Sequence, residues 1–311
     1  MLDTAAKAFF HTLAGSAALK RLATRYGMAK PTSFARRFVA GETIGEAIEA
    51  ARALQARGML LTLDQLGESV KTLDEAGAAT RDYLETIDRI VQSGIERNIS
   101  IKLTQFGLDL DRTASVDNVR RILDAASRHG FFVRIDMENS PYTQVTLDIF
   151  EAFWQQGYRN TGVALQSALY RTGKDVQRMN ELGARVRLIK GAYKEPATVA
   201  HQKKSNVDVA FVQATHALLS DGTYPALATH DTAIIGATRR FAAERALAPD
   251  RYEFQMLYGI RRDLQASLVA EGYRVRVYVP FGREWYPYFM RRLGERPANV
   301  LFVLRGIVGE R

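Results

Sequence analysis

Ten polar residues stand where short apolar runs end: Asp64 and Glu68, Lys102, Asp136, Gln166, Lys190, His230 and Asp231, Gln255, and Tyr278. Lys102 (Ile101-Lys102-Leu103) and Asp136 (Ile135-Asp136-Met137) interrupt apolar text. An unpaired charge there would cost several kcal/mol. Each is therefore expected to pair with the other or with Glu68. Lys190, followed by Gly191 and Ala192, sits where backbone could approach a flat ligand. A barrel lysine, Lys102 or Lys190, could also form a Schiff base with a carbonyl substrate, which is the reading of a second enzyme class. The five histidines, His11, His129, His201, His216 and His230, share no compact ligand spacing, so no metal site is expected. Near the C-terminus, a helix begun at Pro287 would put Tyr288, Arg291 and Arg292 at i, i+3 and i+4 on one face. Two guanidiniums beside a ring suit a small carboxylate, although the same spacing also describes a solvated basic face.

These residues need elements to hold them. From residue 58 on, β-branched runs alternate with stretches of helical period, such as Val116 to His129 with Val116, Val119, Ile122, Leu123 and Ala126 on one face. The sequence predicts eight strands, over 59–64, 99–104, 131–136, 162–166, 186–190, 225–229, 252–257 and 275–280. Eight strand–helix units in the 254 residues from 58 to 311 fit a (βα)8 TIM barrel of the α/β class, preceded by a helical arm over 1–57. Strand ends then converge on one face. Neither G-x-G-x-x-G nor G-x-x-x-x-G-K-[ST] occurs, which argues against an open nucleotide-binding sheet.

The 311 residues are 47% hydrophobic and 25% charged, an ordinary globular balance. The absence of cysteine removes disulfides, thiolate metal sites and cysteine nucleophiles together. No run of about 18 apolar residues suggests a membrane span. Of the net charge of +9, residues 1–57 carry +5. Phe9 to Leu19 mimics a signal or transit segment, but the flanking Lys7, His11, Lys20 and Arg21 suit an amphipathic surface helix better. Basicity alone also admits a non-catalytic scaffold on membrane or polyanion, which would not explain the polar strand ends. Nucleic acid binding would need a longer basic stripe interleaved with aromatics.

Five segments in order, Ser100-Ile101-Lys102-Leu103, Arg187-Leu188-Ile189-Lys190-Gly191-Ala192-Tyr193, Ala228-Thr229-His230-Asp231, Tyr252-Glu253-Phe254-Gln255-Met256-Leu257-Tyr258-Gly259 and Tyr288-Phe289-Met290-Arg291-Arg292, resemble the proline dehydrogenase family. The resemblance implies FAD-dependent oxidation of L-proline to Δ1-pyrroline-5-carboxylate on a distorted (βα)8 TIM barrel whose last helix lies over the barrel mouth, with electrons passed to ubiquinone or menaquinone. It implies that Arg291 and Arg292 clamp the carboxylate with Lys102 as a third cation, while Glu68 orients the arginines. Tyr288 and Leu257 would wall the ring, Tyr278 would face its C4 edge, and Asp136 would support Tyr278 or Lys102. The flavin would touch Gln166, Arg187, Lys190, Gly191, Ala192, Thr229, His230 and Gln255. Lys194 stands where bifunctional relatives carry Trp, a departure at one flavin contact. The chain lacks length and a cysteine for a fused aldehyde dehydrogenase, so a separate glutamate-semialdehyde dehydrogenase is implied. The same reading expects a cytoplasmic location with peripheral membrane contact through the basic arm.

Overall fold

The computed structural model describes residue 28 and residues 33–295. Most of the expected N-terminal arm thus lies outside the described residues. The described residues open with a 3-10 turn, Phe34–Arg37, and helix α1, Ile44–Gln55. α1 starts at a capping box in which Thr43 and Glu46 satisfy each other's backbone N–H groups. Its apolar face, Ala47, Ile48, Ala51 and Leu54, is buried in the main core.

Eight strands then alternate with helices. The strands are β1 (Leu60–Gln65), β2 (Asn98–Ile101), β3 (Phe132–Ile135), β4 (Thr161–Gln166), β5 (Arg185–Ile189), β6 (Ala226–Ala228), β7 (Glu253–Leu257) and β8 (Val275–Phe281). The helices are α2 (Leu73–Ser93), α3 (Arg112–Arg128), α4 (Ser140–Gln155), α5 (Thr172–Leu182), α6 (Lys204–Asp221), α7 (Thr232–Glu244), α8 (Arg262–Ala270) and α9 (Trp285–Glu295). All strand pairs are parallel, and β1 pairs β8, with Leu60 opposite Arg276 and Gln65 opposite Phe281, so the sheet closes into a barrel. The eight expected strands agree with these to within about a residue at each end, with one larger difference. β2 stops at Ile101, and the chain turns at Lys102 into the 3-10 turn Leu103–Phe106, closed by Gly107.

Outward-facing apolar residues such as Leu61, Leu63, Ile99, Ile101, Val133 and Val163 pack under the helices and make the core. A smaller apolar cluster caps one end. There Phe38 and Val39 meet Trp285, Tyr288, Phe289 and Met290 of α9, with Leu66 after β1, and with Ile260 and Tyr278 packed against them. The segment after the first 3-10 turn runs along β8, as Ala40 N donates to Pro280 O and Gly282 N donates to Gly41 O, both at 2.9 Å. Gly259, at φ 74°, is where it passes closest; a Cβ there would lie 1.6 Å from Arg37 O. Only glycine fits. α9 is thereby fixed across the C-terminal ends of β1, β7 and β8. It begins two residues before Pro287, which falls in its first turn.

Candidate active site

A TIM barrel interior is usually layered with Val, Ile and Leu. This one is largely polar. Arg187 reaches from β5 across the axis, its Nη1 donating to Ser100 Oγ on β2 at 3.0 Å and to Asp136 Oδ1, and its Nε to Gln255 Oε1 at 2.5 Å. Arg187 also lies 5.4 Å from the centre of the Tyr278 ring. Tyr278 donates its hydroxyl to Asp136 Oδ2 at 3.1 Å. Above these, Lys102 Nζ donates to both oxygens of Asp64, at 3.0 and 3.1 Å, and to Tyr278 Oη at 3.3 Å. The Asp136 carboxylate stands 3.8 Å from the same ammonium.

The electrostatics follow from this packing. Burial opposes charge on Lys102, yet Asp64, Asp136 and Glu68 together hold its ammonium above the usual lysine range. It stays a cation. Burial likewise pushes the Asp64 carboxyl up, and Lys102 pulls it back toward ionisation. The Tyr278 hydroxyl is pushed well above the usual phenol range by burial and by Asp136 and Asp64, so it remains a donor.

At the rim, Arg291 Nη1 of α9 donates to Glu68 Oε1 at 2.8 Å. Arg292, buried, packs its guanidinium 4.9 Å from the Tyr288 ring centre. The expected grouping of Tyr288, Arg291 and Arg292 with Glu68 is thus one place in the fold, with Tyr288 and Tyr278 in the same cluster. Leu257 ends β7 and is half-buried; its N–H donates to His230 Nε2 at 3.0 Å, which orients that imidazole. Thr229 is buried, and its hydroxyl accepts from Asp231 N at 3.1 Å. Lys190 is held by Asp208 at 2.6 Å and Asp231 at 3.0 Å.

Room for a flat group lies on the side of β4 to β6. Ala164 on β4 and Ala226 on β6 flank Arg187 in register, and Ala228 lies opposite Gln255. Gly191, at φ 114°, passes so close to β4 that a Cβ would lie 3.2 Å from Gln166 Oε1 and 3.3 Å from Ala168 Cβ. Gln166 Nε2 donates to Glu138 O at 2.9 Å, whereas its buried Oε1 has no hydrogen-bond partner among the described residues. A buried acceptor left open beside small residues fits a bound group that carries N–H donors.

Some partners differ from the sequence expectation. Lys102 was expected to pair with Asp136 or Glu68; it does form an ion pair with Asp136 at 3.8 Å, but its hydrogen-bonded carboxylate is Asp64, because β1 and β2 are neighbours in the barrel and Asp136 is engaged by Arg187 and Tyr278. Glu138 carried no sequence signal, since a loop glutamate is common anywhere, and Ser100 had only its place at the head of the Ser100-Ile101-Lys102-Leu103 segment. Glu138 is buried, accepts from Thr104 N at 3.1 Å and Thr104 Oγ1 at 2.6 Å, and is pushed up by burial. Tyr193, next to the Gly-Ala pair, lies in the field of Glu68 and Arg291 and is raised chiefly by burial. Its place in the Arg187 to Tyr193 segment was the signal available for it.

The closed barrel and its ion-paired mouth define a (βα)8 enzyme. The family model described as "Proline dehydrogenase" matches residues 47–305. "Proline dehydrogenase 2" of Bacillus subtilis (strain 168) is 40% identical over 299 residues, 96% of this chain and 97% of that protein. "Proline dehydrogenase" of Deinococcus radiodurans is 42% identical over 283 residues, 90% of this chain and 91% of that one. The crystal structure of proline utilization A (PutA) from Bdellovibrio bacteriovorus inactivated by N-propargylglycine superposes with a TM-score of 0.80 at 24% identity. That match covers 89% of this chain and 34% of the longer one, and it shows the shared barrel. The chain belongs to the proline dehydrogenase family and is an enzyme of that class.

Proposed function

We propose that the chain oxidises L-proline to Δ1-pyrroline-5-carboxylate with FAD held at the β4 to β6 side of the mouth. The observation that carries this reading is the placement of cations: Arg291 and Arg292 descend from α9 over the same mouth in which Lys102 is kept protonated. A carboxylate entering there would meet charge-assisted donors, with Tyr288, Tyr278 and Leu257 to cover an apolar ring. Bound FAD supplies the hydride acceptor for such an oxidation. The protein's share is orientation and exclusion of water. Arg291 and Arg292 fix the carboxylate, α9 and its aromatic cluster close the mouth, and Gln166, Gly191, Ala192, Thr229, His230 and Gln255 shape the cofactor side. Lys190 and Arg187 supply positive charge to that side. Lys102, locked as an ammonium on Asp64, serves as a cation and not as the acceptor of the amine proton.

The same locking disfavours Lys102 in the Schiff-base alternative, because a nucleophilic lysine must first lose its proton, and Lys190 is engaged by Asp208 and Asp231. In this reading electrons pass to ubiquinone or menaquinone, and a separate glutamate-semialdehyde dehydrogenase consumes the opened product. The domain division is an arm over 1–57 and a catalytic barrel over 58–311. The location is cytoplasmic with peripheral contact through the basic arm; among the described residues no helix is long and apolar enough to cross a membrane. A visible spectrum of the purified protein followed by anaerobic L-proline tests the chemistry. Flavin bands that bleach with proline are expected. A colourless protein that neither takes up FAD nor oxidises proline would overturn the reading.

A further inference from the structure

The opposite end of the barrel holds a cavity of about 650 Å³, within the range of small-molecule sites. It opens among the N-terminal ends of β1, β5 and β8 and the approach to β6, with Leu60, Leu219, Pro225 and Leu247 in its walls. Four arginines line it, Arg185, Arg251, Arg274 and Arg276, against two carboxylates, Glu96 and Asp250.

The four do not stand alike. Arg276 is spent internally: Glu253 takes its Nε at 2.7 Å and its Nη2 at 3.0 Å, and Glu96 takes Nη1 at 2.6 Å. Arg185, Arg251 and Arg274 have no carboxylate within salt-bridge distance among the described residues, and all three are exposed to the cavity side. Three guanidiniums thus face one concave space whose lining holds Asp250 and Glu96 as the opposing charges. Tyr224 organises two of them. Its ring lies 5.1 Å from the Arg185 guanidinium and 5.5 Å from that of Arg274, and its hydroxyl accepts from Arg274 Nη1 at 3.2 Å and donates to Glu253 Oε2 at 3.1 Å. Tyr224 holds this position at φ 48°, a backbone conformation that a bulky residue rarely adopts. The planar forks of Arg185 and Arg274 are therefore held in place before any ligand arrives, which lowers the entropy lost on binding.

We propose that this cavity binds a small organic polyanion, one whose phosphate or paired carboxylate groups are gripped by Arg185, Arg251 and Arg274. The site is separate from the catalytic mouth and does not depend on the reading of it. Guanidinium forks match both oxyanion types, so the shared chemistry is multiple oxyanions on a compact body.

Isothermal titration calorimetry of the purified full chain tests this, with pyrophosphate and citrate as probes at constant ionic strength of roughly 0.15 M, where surface charge is largely screened. Saturable binding of pyrophosphate, of citrate, or of both is expected, and the preference between them identifies the phosphate or the carboxylate source. Arg185→Ala and Arg274→Ala should each weaken it by about tenfold or more, the effect of losing a charge-assisted bond. Arg251→Glu, on an exposed turn, provides a variant that leaves the Tyr224 arrangement untouched and should abolish binding. Absence of saturable heat with either probe overturns the proposal. So does binding that survives Arg251→Glu with unchanged affinity.

Discussion

The two ends of the barrel carry the same kind of chemistry, arginine against glutamate, in different surroundings. At the floor, the side chains of Arg276 and Glu253 are 8% and 3% exposed; at the rim, those of Arg291 and Glu68 are 19% and 32% exposed. The floor pair is bidentate and complete, and Glu253 is held below the usual carboxylate range although burial opposes it. The rim pair is a single contact between a helix and a loop. A buried pair with every lone pair answered fixes the barrel's closure, whereas a partly wet pair can exchange partners with an incoming carboxylate at small cost.

This difference is broken most sharply by removing one cation from each end. Arg276→Met leaves Glu253 buried without its counter-ion and should lower stability by about 3–5 kcal/mol in chemical denaturation. Arg291→Met should change stability by no more than about 1 kcal/mol. Its effect should fall on substrate: loss of a charge-assisted bond to the carboxylate, worth about 1.5–3 kcal/mol, raises the KM for proline by roughly ten- to a hundredfold with the flavin spectrum retained. Equal destabilisation by both variants would erase the distinction. Unchanged kinetics in Arg291→Met would remove that residue from substrate binding.

How much of this the sequence contained depends on whether the signal was local. The strands were legible because apolar β-branched runs recur between helical periods, and the polar mouth was legible because a charge inside such a run has to be answered. Which group answers it was not. Asp64 and Lys102 are 38 residues apart, and Tyr278 joins them only because β8 closes against β1. The early end of β2 was equally hidden, since Leu103 and Thr104 read as strand text and become buried in a 3-10 turn through tertiary packing. At the floor, Glu253 and Arg276 lie within strands whose alternation fits either face until the barrel is closed. Tyr224 gave no signal at all, because its left-handed backbone is a property of the assembled cavity rim.

A smaller effect sharpens the mouth itself. Tyr278→Phe removes the hydroxyl that links Lys102 to Asp136 and leaves an Asp136 oxygen without that donor. The loss of one hydrogen bond to a charged group, about 1.5–3 kcal/mol, should appear as a fall of roughly tenfold or more in kcat/KM for proline. A Tyr278→Phe enzyme with unaltered kcat/KM would show that Lys102 and Asp136 are held without it.

The smallest expected effect lies beyond the end of β6, where Asp231 caps α7 and accepts from Lys190 and Lys204. Burial opposes its charge, but these bonds, with the Ala233 N–H, hold its carboxyl down at about 2, against an ordinary value of 3.8. A carboxyl with a depressed folded-state value stabilises the fold fully above its unfolded value, and that contribution fades as pH falls from about 4 toward 2. Because Asp231 is partly exposed and its partner Lys204 largely so, the contribution is discounted to no more than about 1 kcal/mol, or roughly 2 °C in Tm for a chain of this size. Asn still caps a helix, so Asp231→Asn isolates the charge. The Tm gap between the native protein and Asp231→Asn should be complete at pH 5 and about half as large at pH 3. A gap of constant size across that interval would mean that the carboxyl acts as a helix cap alone, and that the Lys190 and Lys204 ammoniums contribute nothing to the fold through it.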